Sequence, residues 1–354
     1  MKALIGMSGG VDSSVAAYLT QQADFDCIGA TMRLYANQAE EPESTCCSLE
    51  DVEDARSVAY RLGMPFYVFN FSEDFRVKVM DAFVEAYEQG LTPNPCIECN
   101  RHLKFDRFLR RAQELGCAYI VTGHYAQIAE EKGRYLLKKA VDAAKDQTYF
   151  LYTLTQEQLS HTRFPLGRLT KAEVRAIAEE KGFINAKKHD SQDICFVPDG
   201  NYMAFMERYT GKAYTPGDYL DRNGNVVGQH KGAVGYTLGQ RKGLGIAMGA
   251  PVYVCGKDME KNTVTVGPNE ALFHRTLRAN DMNWFPFDML TAPMRVKAKT
   301  RSRMIEQPAT VYPDESGAVR VEFDEPQRAI TPGQAVVLYD GDNVVGGGTI
   351  TEVL

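Results

Sequence analysis

Two hydrophobic periods alternate along the first third of the chain. The short apolar runs ALIGM, CIGATM, FYVFNF and AYIVTG have the length and composition of buried strands. Between these runs, apolar residues recur every three or four positions, as they do on one face of a helix. The first of these stripes consists of Val11, Val15, Ala16 and Leu19. Strands that alternate with helices predict an α/β fold, in which right-handed crossovers place helices on both faces of a parallel sheet.

Three further helical stripes follow in this region. They consist of Val52, Ala55, Ala59 and Leu62, after a capping-box pattern at Ser48 and Asp51; of Phe75, Val79, Phe83 and Tyr87; and of Phe105, Phe108, Ala112 and Leu115. The segment TPNPCIECNR before the last stripe is predicted to be a loop. Ligands of such sheets bind beyond the carboxyl ends of the strands. We therefore expect the residues that follow strand ends to converge on one crevice, namely Met7 to Ser14, Met32, Gly123 and His124.

The pattern changes near residue 201. A short helical segment, NYMAFMERY, is followed by two hairpin patterns, YLDRNGNVVG and PVYVCGKDMEKNTVTVG. Beyond residue 271 the patterns are those of strands and turns. We predict an α/β domain over residues 1–200, a small mixed α+β central domain over 201–270, and a C-terminal β-barrel or sandwich over 271–354.

Composition and charge narrow the class of protein. No apolar run approaches the roughly 20 residues that span a bilayer, and the N-terminus lacks the order of a signal peptide. These features predict a cytoplasmic protein without a membrane partner. The eight cysteines are scattered, which fits a reducing compartment and makes any functional cysteine reactive or metal-binding. The net charge of −6 argues against bulk attraction to nucleic acid, so such binding would need a local basic patch.

The stretch MSGGVDSS joins the first strand to the first helix. Glycines at this point let backbone N–H groups approach an anion, and the helix N-terminus adds a partial positive charge. Ser8, Ser13 and Ser14 offer hydroxyls to phosphate oxygens, and Asp12 suits a magnesium ion that bridges phosphates. A Walker loop would carry a lysine for the β- and γ-phosphates, and this loop has none.

Three of the cysteines lie in polar surroundings that favour reactivity. Cys96 and Cys99 share a stretch with two prolines and nearby cations, and Cys195 lies in HDSQDICFVPDG. A zinc site is disfavoured, because a single C-x-x-C lacks the second pair of ligands. The other cysteines are predicted to be structural or of lower rank: Cys27, Cys117 and Cys255 in strands, and the adjacent Cys46 and Cys47.

A basic stripe occurs in the C-terminal region. In RVKAKTRSR, the basic residues stand at every second position, and they are Arg295, Lys297, Lys299, Arg301 and Arg303. In a strand this period places all five on one face, about 6.6 Å apart. Such a stripe is either a solvated outer strand or a surface that contacts phosphates, and the absence of an intervening acid favours phosphate contact.

The motifs taken together resemble a known family. SGGVDSS is similar to the pyrophosphate loop (PP-loop) of ATP pyrophosphatases, in which a substrate oxygen attacks the α-phosphorus and pyrophosphate leaves. With TPNPCIECNRHLKF, VTGHYA, KDQTYFLY, SQDICF, GYTLGQRKGLG and ITPGQAVVLYDG, the chain resembles the tRNA-specific 2-thiouridylase family over nearly its whole length. The resemblance implies a Rossmann-like PP-loop domain, a small central domain and a C-terminal β-barrel. It also implies that O2 of the wobble uridine in certain tRNAs is replaced by sulfur, with ATP, Mg²⁺ and a persulfide.

The resemblance also implies roles for particular residues. The ATP-binding positions would be Gly6, Met7, Ser8, Gly9, Gly10, Val11, Asp12, Ser13, Met32 and Gly123. Those for tRNA would be His124, Lys145, Asp146, Gln147, Arg301, Ser302 and Gln334, with Asn94, Pro95 and Cys96 bordering the target base. Cys99 would be the nucleophile and Cys195 the persulfide carrier, and the pair would form a disulfide as sulfur leaves. The sulfur donor would be a cysteine desulfurase, a relay protein or sulfide.

One position departs from the family pattern. Where the family has Asp after Asn-Pro, this chain has Cys96, so the role of that aspartate is in doubt. The substitution creates a trio, Cys96, Cys99 and Cys195, that would suit a [4Fe–4S] cluster whose fourth iron binds sulfide. The cysteine count does not distinguish this cluster from a persulfide mechanism.

Two other classes of function compete with this interpretation. One is another PP-loop adenylating synthetase that acts on a small metabolite, which would leave the cysteines and the basic stripe unexplained. The other is a non-catalytic RNA-binding carrier of sulfur or of an iron–sulfur cluster, which would leave the intact loop without a purpose.

Overall fold

The computed structural model describes residues 1–35, 49–188 and 194–354, and for Ser316 it describes the backbone alone. Ser48 of the predicted capping box, Cys46 and Cys47 lie outside the described residues, as do residues 189–193 of the HDSQDICF stretch. The strands are β1 (Lys2–Gly6), β2 (Asp26–Arg33), β3 (Phe66–Asn70), β4 (Tyr119–Val121), β5 (Gln127–Glu131), β6 (Arg134–Lys138), β7 (Thr162–Arg163), β8 (Gly217–Leu220), β9 (Val226–His230), β10 (Tyr253–Asp258), β11 (Thr263–Gly267), β12 (Phe273–Trp284), β13 (Met294–Lys299), β14 (Gln307–Pro313), β15 (Val319–Arg328), β16 (Ala335–Asp340) and β17 (Asn343–Val353). The α-helices are α1 (Val11–Gln22), α2 (Leu49–Arg61), α3 (Ser72–Phe75), α4 (Ala82–Glu88), α5 (Pro95–Cys99), α6 (Phe108–Glu114), α7 (Thr148–Leu151), α8 (Gln156–Ser160), α9 (Lys171–Glu180) and α10 (Tyr202–Thr210).

The first five-stranded sheet is parallel and has the order β3-β2-β1-β4-β7. Alternate residues of β1 face opposite layers, as a strand requires. Ala3 and Ile5 pack with α1, α2 and α9, whereas Leu4 packs with α4 and α6. The predicted doubly covered parallel sheet is therefore confirmed, and apolar residues of all four predicted stripes lie in these two layers.

Two long helices in this domain each contain a π-helical segment. Residues Arg76–Asp81 join α3 to α4, and residues Asn100–Arg107 join α5 to α6. The predicted loop TPNPCIECNR is therefore wrong from Pro95 onward, where α5 already begins. The local reason is that Asn94 caps this helix by accepting a hydrogen bond from the Cys96 N–H, while proline stands at the first helical position.

The central region forms a separate mixed sheet of order β10-β11-β8-β9. Both predicted hairpins are present, since β8 pairs with β9 and β10 with β11 in antiparallel fashion. The two hairpins join through the parallel pair β11 and β8. This sheet has a small hydrophobic core of its own, which includes Tyr219, Val254 and Val264.

The C-terminal strands close into a six-stranded barrel. The order is β12-β15-β14-β13-β16-β17, and β17 pairs again with β12. This closure decides for a barrel and against a sandwich, because a closed sheet has no edge. The hairpin of β5 and β6, which belongs to the first 200 residues, adds to this sheet where Lys138 pairs with Asn343.

The basic stripe extends over a shorter strand than predicted. β13 ends at Lys299, and Val296 and Ala298 face the barrel core as expected. Arg301 and Arg303 lie in the turn that follows, so the predicted five-residue face is wrong in its second half. An acid also reaches the stripe from β15, because Asp324 pairs with Arg295 at 2.7 and 2.8 Å.

Candidate active site

The loop between β1 and α1 is held at its first residue by β2. The Met7 N–H donates to the carbonyl of Ala30, and the Thr31 hydroxyl donates to the carbonyl of Met7 at 2.6 Å. Gly9 has a φ of 78°, and a Cβ at this position would lie 2.3 Å from the carbonyl oxygen of Asp51. The glycine is therefore required both by its backbone conformation and by the close approach of α2.

The loop serines are used largely within the loop itself. Ser13 Oγ accepts from the Ser8 N–H at 3.1 Å and donates to the carbonyl of Gly10 at 2.9 Å. Ser14 Oγ donates to the same carbonyl. The serines thus shape the loop, and the groups left for an anion are the first-turn N–H groups of α1, which have no acceptor within their own helix.

The end of β4 lies against that first helical turn. A Cβ on Gly123 would come within 2.8 Å of the Ser13 nitrogen and of the Asp12 carbonyl carbon. Met32, at the end of β2, lies close to Gly6, because a Cβ there would be 3.6 Å from the Met32 methyl carbon. Met32 and Gly123 therefore lie close to the start and the end of the segment that joins β1 to α1, and their convergence on one crevice stays a prediction.

Asp12 is already engaged by two side chains that the sequence analysis missed. Lys171 Nζ donates to both carboxylate oxygens at 2.8 Å, and the Tyr125 hydroxyl donates to Asp12 Oδ1 at 2.8 Å. The Lys171 side chain is 11% exposed and that of Asp12 31%. The expected magnesium ligand is thus part of a half-buried ion pair beside the loop.

Residues after α9 close over the other side of the loop. Asn185 Nδ2 donates to the carbonyl of Gly9 at 2.8 Å and to Ser14 Oγ at 2.9 Å. Asn185 is 2% exposed, and its Oδ1 has no hydrogen-bond partner in the described part of the chain. Lys188 bridges to Asp51 and Asp54 on α2. The capping box of Thr170 at the start of α9 could have predicted that helix, but no local pattern indicates that it packs on the loop.

The arrangement fits a phosphate chain. The loop offers backbone N–H groups at a helix N-terminus, and the ammonium group of Lys171 lies beside Asp12. Side chains at Gly9 or Gly123 would collide with the backbone that packs against the loop. A metal site is not preformed: among residues 1–35, 49–188 and 194–354, no group of three or more His, Cys, Asp or Glu side chains is placed to hold an ion.

The structure places Cys99 and Cys195 in one apolar cluster and leaves Cys96 exposed. Cys96 is exposed and Cys99 is 7% exposed, one helical turn apart on α5. Cys195 is half-buried and packs against the core cluster that contains Cys99. The same helix continues to Phe108, whose ring would lie 3.5 Å from a Cβ on Gly6. The helix that carries Cys99 is therefore in contact with the strand that leads into the loop.

The cations near Cys99 are compensated by an acid. His102 Nε2 lies 3.2 Å and Arg101 Nη1 4.0 Å from the carboxylate of Glu98. Burial acts to raise the pKa of Glu98, but His102 and Arg101 outweigh it and the pKa is lowered. Glu98 is therefore an anion on the helix that carries Cys99, and it partly compensates the predicted cationic environment.

The three cysteines predicted to be structural are buried or half-buried. Cys27 and Cys117 are each 5% exposed. Burial raises the pKa of the Cys27 thiol to about 11, with Asp26 and Cys117 adding to the effect. Burial also raises the pKa of Cys255, whose thiol donates to the Tyr253 carbonyl. These three thiols are therefore poor nucleophiles at neutral pH.

The barrel contacts the segment that leads to Asn94. Gln334 Nε2 donates to the Thr92 carbonyl at 2.8 Å, and the Thr92 N–H donates to the Pro332 carbonyl at 3.0 Å. A Cβ on Gly333 would lie 2.8 Å from the Thr92 nitrogen. Gln334 is thus tied to the chain just before α5, and its assignment to tRNA stays a prediction.

The KDQTYFLY stretch is hydrogen-bonded to Tyr125, the residue after His124. Gln147 and Tyr125 exchange two hydrogen bonds at 2.9 Å, one from each backbone N–H. Asp146 accepts from the Ala140 N–H and the Thr148 hydroxyl, and burial raises its pKa. The tRNA contacts assigned to Lys145, Asp146 and Gln147 stay predictions.

His124 lies between aromatic rings. Its ring is 5.6 Å from that of Phe105 and 5.9 Å from that of Phe164, and its Nδ1 is 2.7 Å from the Thr122 hydroxyl. Burial, with Lys104 adding to it, holds the pKa of His124 well below 6.5. The imidazole is therefore neutral at physiological pH, and its assignment to tRNA stays a prediction.

This shift gives a testable pH dependence. The unfolded chain gains a proton on His124 near pH 6.5 and the folded protein does not, so stability is present above that pH and is lost below it. We expect the free energy of unfolding to fall less in His124→Gln than in wild type between about pH 7.5 and about pH 5.5, by chemical denaturation. A control at the exposed His274, His274→Gln, should follow wild type. Equal losses in all three proteins would contradict the assignment.

Arg301 is turned inward between two domains. Its Nη2 donates to the carbonyls of Leu238 and Ala329 at 3.1 Å and to the Thr331 hydroxyl at 2.9 Å. Burial lowers the pKa of the guanidinium group, which nevertheless stays charged. Arg301 therefore links the central region to the barrel, and half-buried Ser302 follows it.

Three family models together match most of the chain. The model described as the tRNA methyl transferase HUP domain matches residues 1–199, and the tRNA methyl transferase PRC-barrel domain matches residues 203–268. The aminomethyltransferase beta-barrel domain matches residues 274–350.

Curated relatives match at full length. The tRNA-specific 2-thiouridylase MnmA of Clostridium acetobutylicum is 52% identical over 351 residues, which cover 99% of either chain. The protein of the same name from Clostridioides difficile is 51% identical over 356 residues, covering 100% of this chain and 99% of its own. That of Symbiobacterium thermophilum is 52% identical and is covered to 93% of its length.

Solved structures resemble the chain more distantly. A 4-thiouridine synthetase in a complex with RNA and bound ATP is 17% identical, with a TM-score of 0.35, covering 56% of this chain and 45% of its own. The NMN synthetase of Francisella tularensis is 17% identical, with a TM-score of 0.34, covering 60% and 78%. At TM-scores below 0.5 these likenesses carry no functional argument.

Proposed function

The chain belongs to the tRNA-specific 2-thiouridylase family, and from this membership we propose that it replaces O2 of a tRNA wobble uridine with sulfur. The enzyme is an ATP-dependent sulfurtransferase whose products are 2-thiouridine in tRNA, AMP and pyrophosphate. One observation supports the proposal: the strand that leads into the loop contacts the continuous helix that bears Cys99, and Cys195 packs against the same apolar cluster as Cys99. We assign the chemistry to the domain of residues 1–200 and tRNA contact to the barrel of residues 271–354. The central domain, residues 201–270, lies between them in the sequence.

The first step is adenylation of the uracil carbonyl. The first-turn N–H groups of α1 hold the triphosphate, so that uridine O2 attacks the α-phosphorus and pyrophosphate leaves. If ATP is bound with Mg²⁺, Asp12 would supply carboxylate oxygens for the ion, which would neutralise phosphate charge. Oxide is a poor leaving group from a carbonyl carbon, whereas AMP is a good one, so adenylation must come before sulfur attack. The matched domain models mention methyl transfer, but the full-length relatives named as 2-thiouridylases support adenylation and sulfur transfer.

The second step is sulfur delivery through two cysteines. The terminal sulfur of a persulfide on Cys195 attacks C2 of the adenylated base, and AMP leaves with the original O2. The Cys99 thiolate then attacks Cys195 Sγ, which releases the sulfur to the base and leaves a disulfide between the two residues. In the other order, Cys99 first expels the sulfur as hydrosulfide, which attacks C2. Either route ends with a disulfide that an external thiol must reduce by two electrons.

The [4Fe–4S] alternative rests on Cys96, which stands where the family has an aspartate. Cys96 is exposed on α5, and the described side chains do not form a ready ligand set, which favours the persulfide route. Anaerobic purification with measurement of iron, sulfide and visible absorption decides between the two. An iron-free protein with full sulfur-transfer activity excludes the cluster, whereas activity that follows the iron content supports it.

The test of the function is mass analysis of nucleosides from tRNA incubated with the protein, ATP, a thiol reductant and a cysteine desulfurase with cysteine, which supplies sulfane sulfur for the persulfide on Cys195. We expect 2-thiouridine only when ATP is present. Pyrophosphate release that is independent of tRNA would favour a small-molecule synthetase, and a protein that never consumes ATP would favour a carrier.

We also propose a cytoplasmic location. No helix in the described ranges is both long and apolar enough to cross a bilayer.

The tRNA surface of the barrel can be tested by salt dependence. Lys297 and Arg303 are exposed, whereas Arg301 is turned inward. We expect Lys297→Gln with Arg303→Gln to weaken tRNA binding and to reduce the slope of log Kobs against log salt by about 1.4 to 1.8. The matched control is Arg295→Gln, because Asp324 already compensates that guanidinium. An unchanged slope in the double variant would exclude this face.

A further inference from the structure

The phosphate loop carries a negative charge of its own. Within GMSGGVDSS, residues 6 to 14, the one ionisable side chain is that of Asp12. A carboxylate repels an incoming triphosphate, and the partial positive charge of a helix N-terminus only offsets this in part. Besides Mg²⁺, a cation from elsewhere in the fold would therefore strengthen binding of the β- and γ-phosphates.

Lys171 is placed to supply that cation. It stands 159 positions after Asp12, and its Nζ contacts both Asp12 oxygens at 2.8 Å. Its Nζ also lies 5.9 Å from the centre of the Tyr125 ring. Because Asp12 belongs to the first turn of α1, the ammonium group lies at the same helix end as the anion-binding N–H groups.

The side chain is also held in place before any nucleotide arrives. Lys171 is the first residue of α9, where Thr170 and Glu173 form a complete capping box. Its backbone N–H donates to Asp142 Oδ2 at 2.9 Å. The side chain is only 11% exposed, so little conformational freedom remains to be lost when a phosphate binds.

We propose that Lys171 is a phosphate-contacting residue of the ATP site, and that it replaces the lysine that a Walker loop would carry. Without nucleotide it pairs with Asp12; when ATP is bound, its ammonium group contacts the β- and γ-phosphates and leaves the carboxylate available to Mg²⁺. The inference rests on the proposed use of ATP and names a residue outside the loop motif.

The experiment measures nucleotide affinity by calorimetry in the absence of tRNA, with wild type, Lys171→Met and Lys171→Arg. We expect Lys171→Met to raise the Kd for Mg-ATP about ten- to hundredfold, because a charge-assisted contact is lost. The Kd for AMP, which lacks the β- and γ-phosphates, should change by less than about twofold. Lys171→Arg should recover most of the ATP affinity. An equal loss for ATP and AMP, or no loss for either, would overturn the proposal.

A second measurement separates direct contact from mere neutralisation of Asp12. If Lys171 acts only through Asp12, Lys171→Met has no effect on ATP affinity in an Asp12→Asn background. If Lys171 contacts phosphate itself, the same change raises the Kd about tenfold further in that background. Lys181→Met, at the far end of α9, is the control and should bind ATP as wild type does. Thermal unfolding of each variant without nucleotide reports any loss of folding.

The two hypotheses fail in different ways. Normal ATP binding by Lys171→Met, together with thiolation by the wild type, would remove the role of Lys171 and leave the proposed function intact. Absence of 2-thiouridine with wild type, together with selective loss of ATP affinity in Lys171→Met, would remove the function and leave the phosphate contact.

Discussion

Replacement of Cys195 by serine is expected to abolish formation of 2-thiouridine, by at least about a thousandfold, while ATP affinity stays within about twofold of wild type. A serine oxygen cannot carry a persulfide sulfur, so the delivery step has no donor. Cys99→Ser is expected to be equally inactive, because no thiolate is left to release sulfur from Cys195. The measurement is mass analysis of tRNA nucleosides, with calorimetry of ATP binding on the same preparations.

The matched control is Cys255→Ser. Cys255 is a half-buried thiol in the central sheet that donates a hydrogen bond to the Tyr253 carbonyl, which a serine hydroxyl can also do. We expect that variant to thiolate tRNA as wild type does. Thiolation at the normal rate by Cys195→Ser would refute sulfur delivery through this residue.

Gly9→Ala is expected to destabilise the protein and to raise the Kd for ATP about tenfold, because the substitution distorts the loop that is proposed to bind the phosphates. The new Cβ would lie 2.3 Å from the Asp51 carbonyl oxygen, and backbone atoms of α2 or of the loop must move apart. Residues with positive φ also cost about 1–2 kcal/mol when they are not glycine. We expect a total loss of about 3 kcal/mol or more in the free energy of unfolding, measured by chemical denaturation.

Gly116→Ala separates the two causes. Gly116 has a φ of 70°, close to that of Gly9, but nothing lies within 4 Å of the position of its Cβ. This variant should lose only the conformational part, about 1–2 kcal/mol, and should bind ATP normally. Equal destabilisation of the two variants with normal ATP binding would contradict the close packing of the loop on α2.

Much of the α/β domain could be predicted because its pattern is local. The apolar stripe of α1 and the alternation within β1 follow from the periods of helix and strand, which are the same wherever the segment packs. The start of α5 could also have been predicted, because Asn94 and Pro95 are a local capping signal. That error came from treating a proline-containing stretch as a loop, and not from missing tertiary information.

The proposed phosphate site can be located in part for the same reason. The loop contains its glycines, its acid and its helix start within nine consecutive residues, so its anion-binding N–H groups follow from sequence alone. The partners of that loop come from far along the chain. Lys171 lies 159 positions after Asp12, and Asn185 lies 176 positions after Gly9. The sequence around each of these two residues does not indicate that it contacts the loop.

From sequence alone follow most of the strands and helices of the first 122 residues and the parallel first sheet, together with a prediction of where an anion would bind, because these depend on short-range periodicity and turn chemistry. The closure of the last six strands into a barrel is visible only in the tertiary structure, because the closing strands β12 and β17 are about 70 residues apart in the sequence. The tertiary structure also decided that Arg301 faces Leu238 and Thr331 and not the solvent, and that Lys171 meets Asp12. Such contacts depend on where separate elements are brought together in space, and the residue period along either segment is the same whether they meet or not.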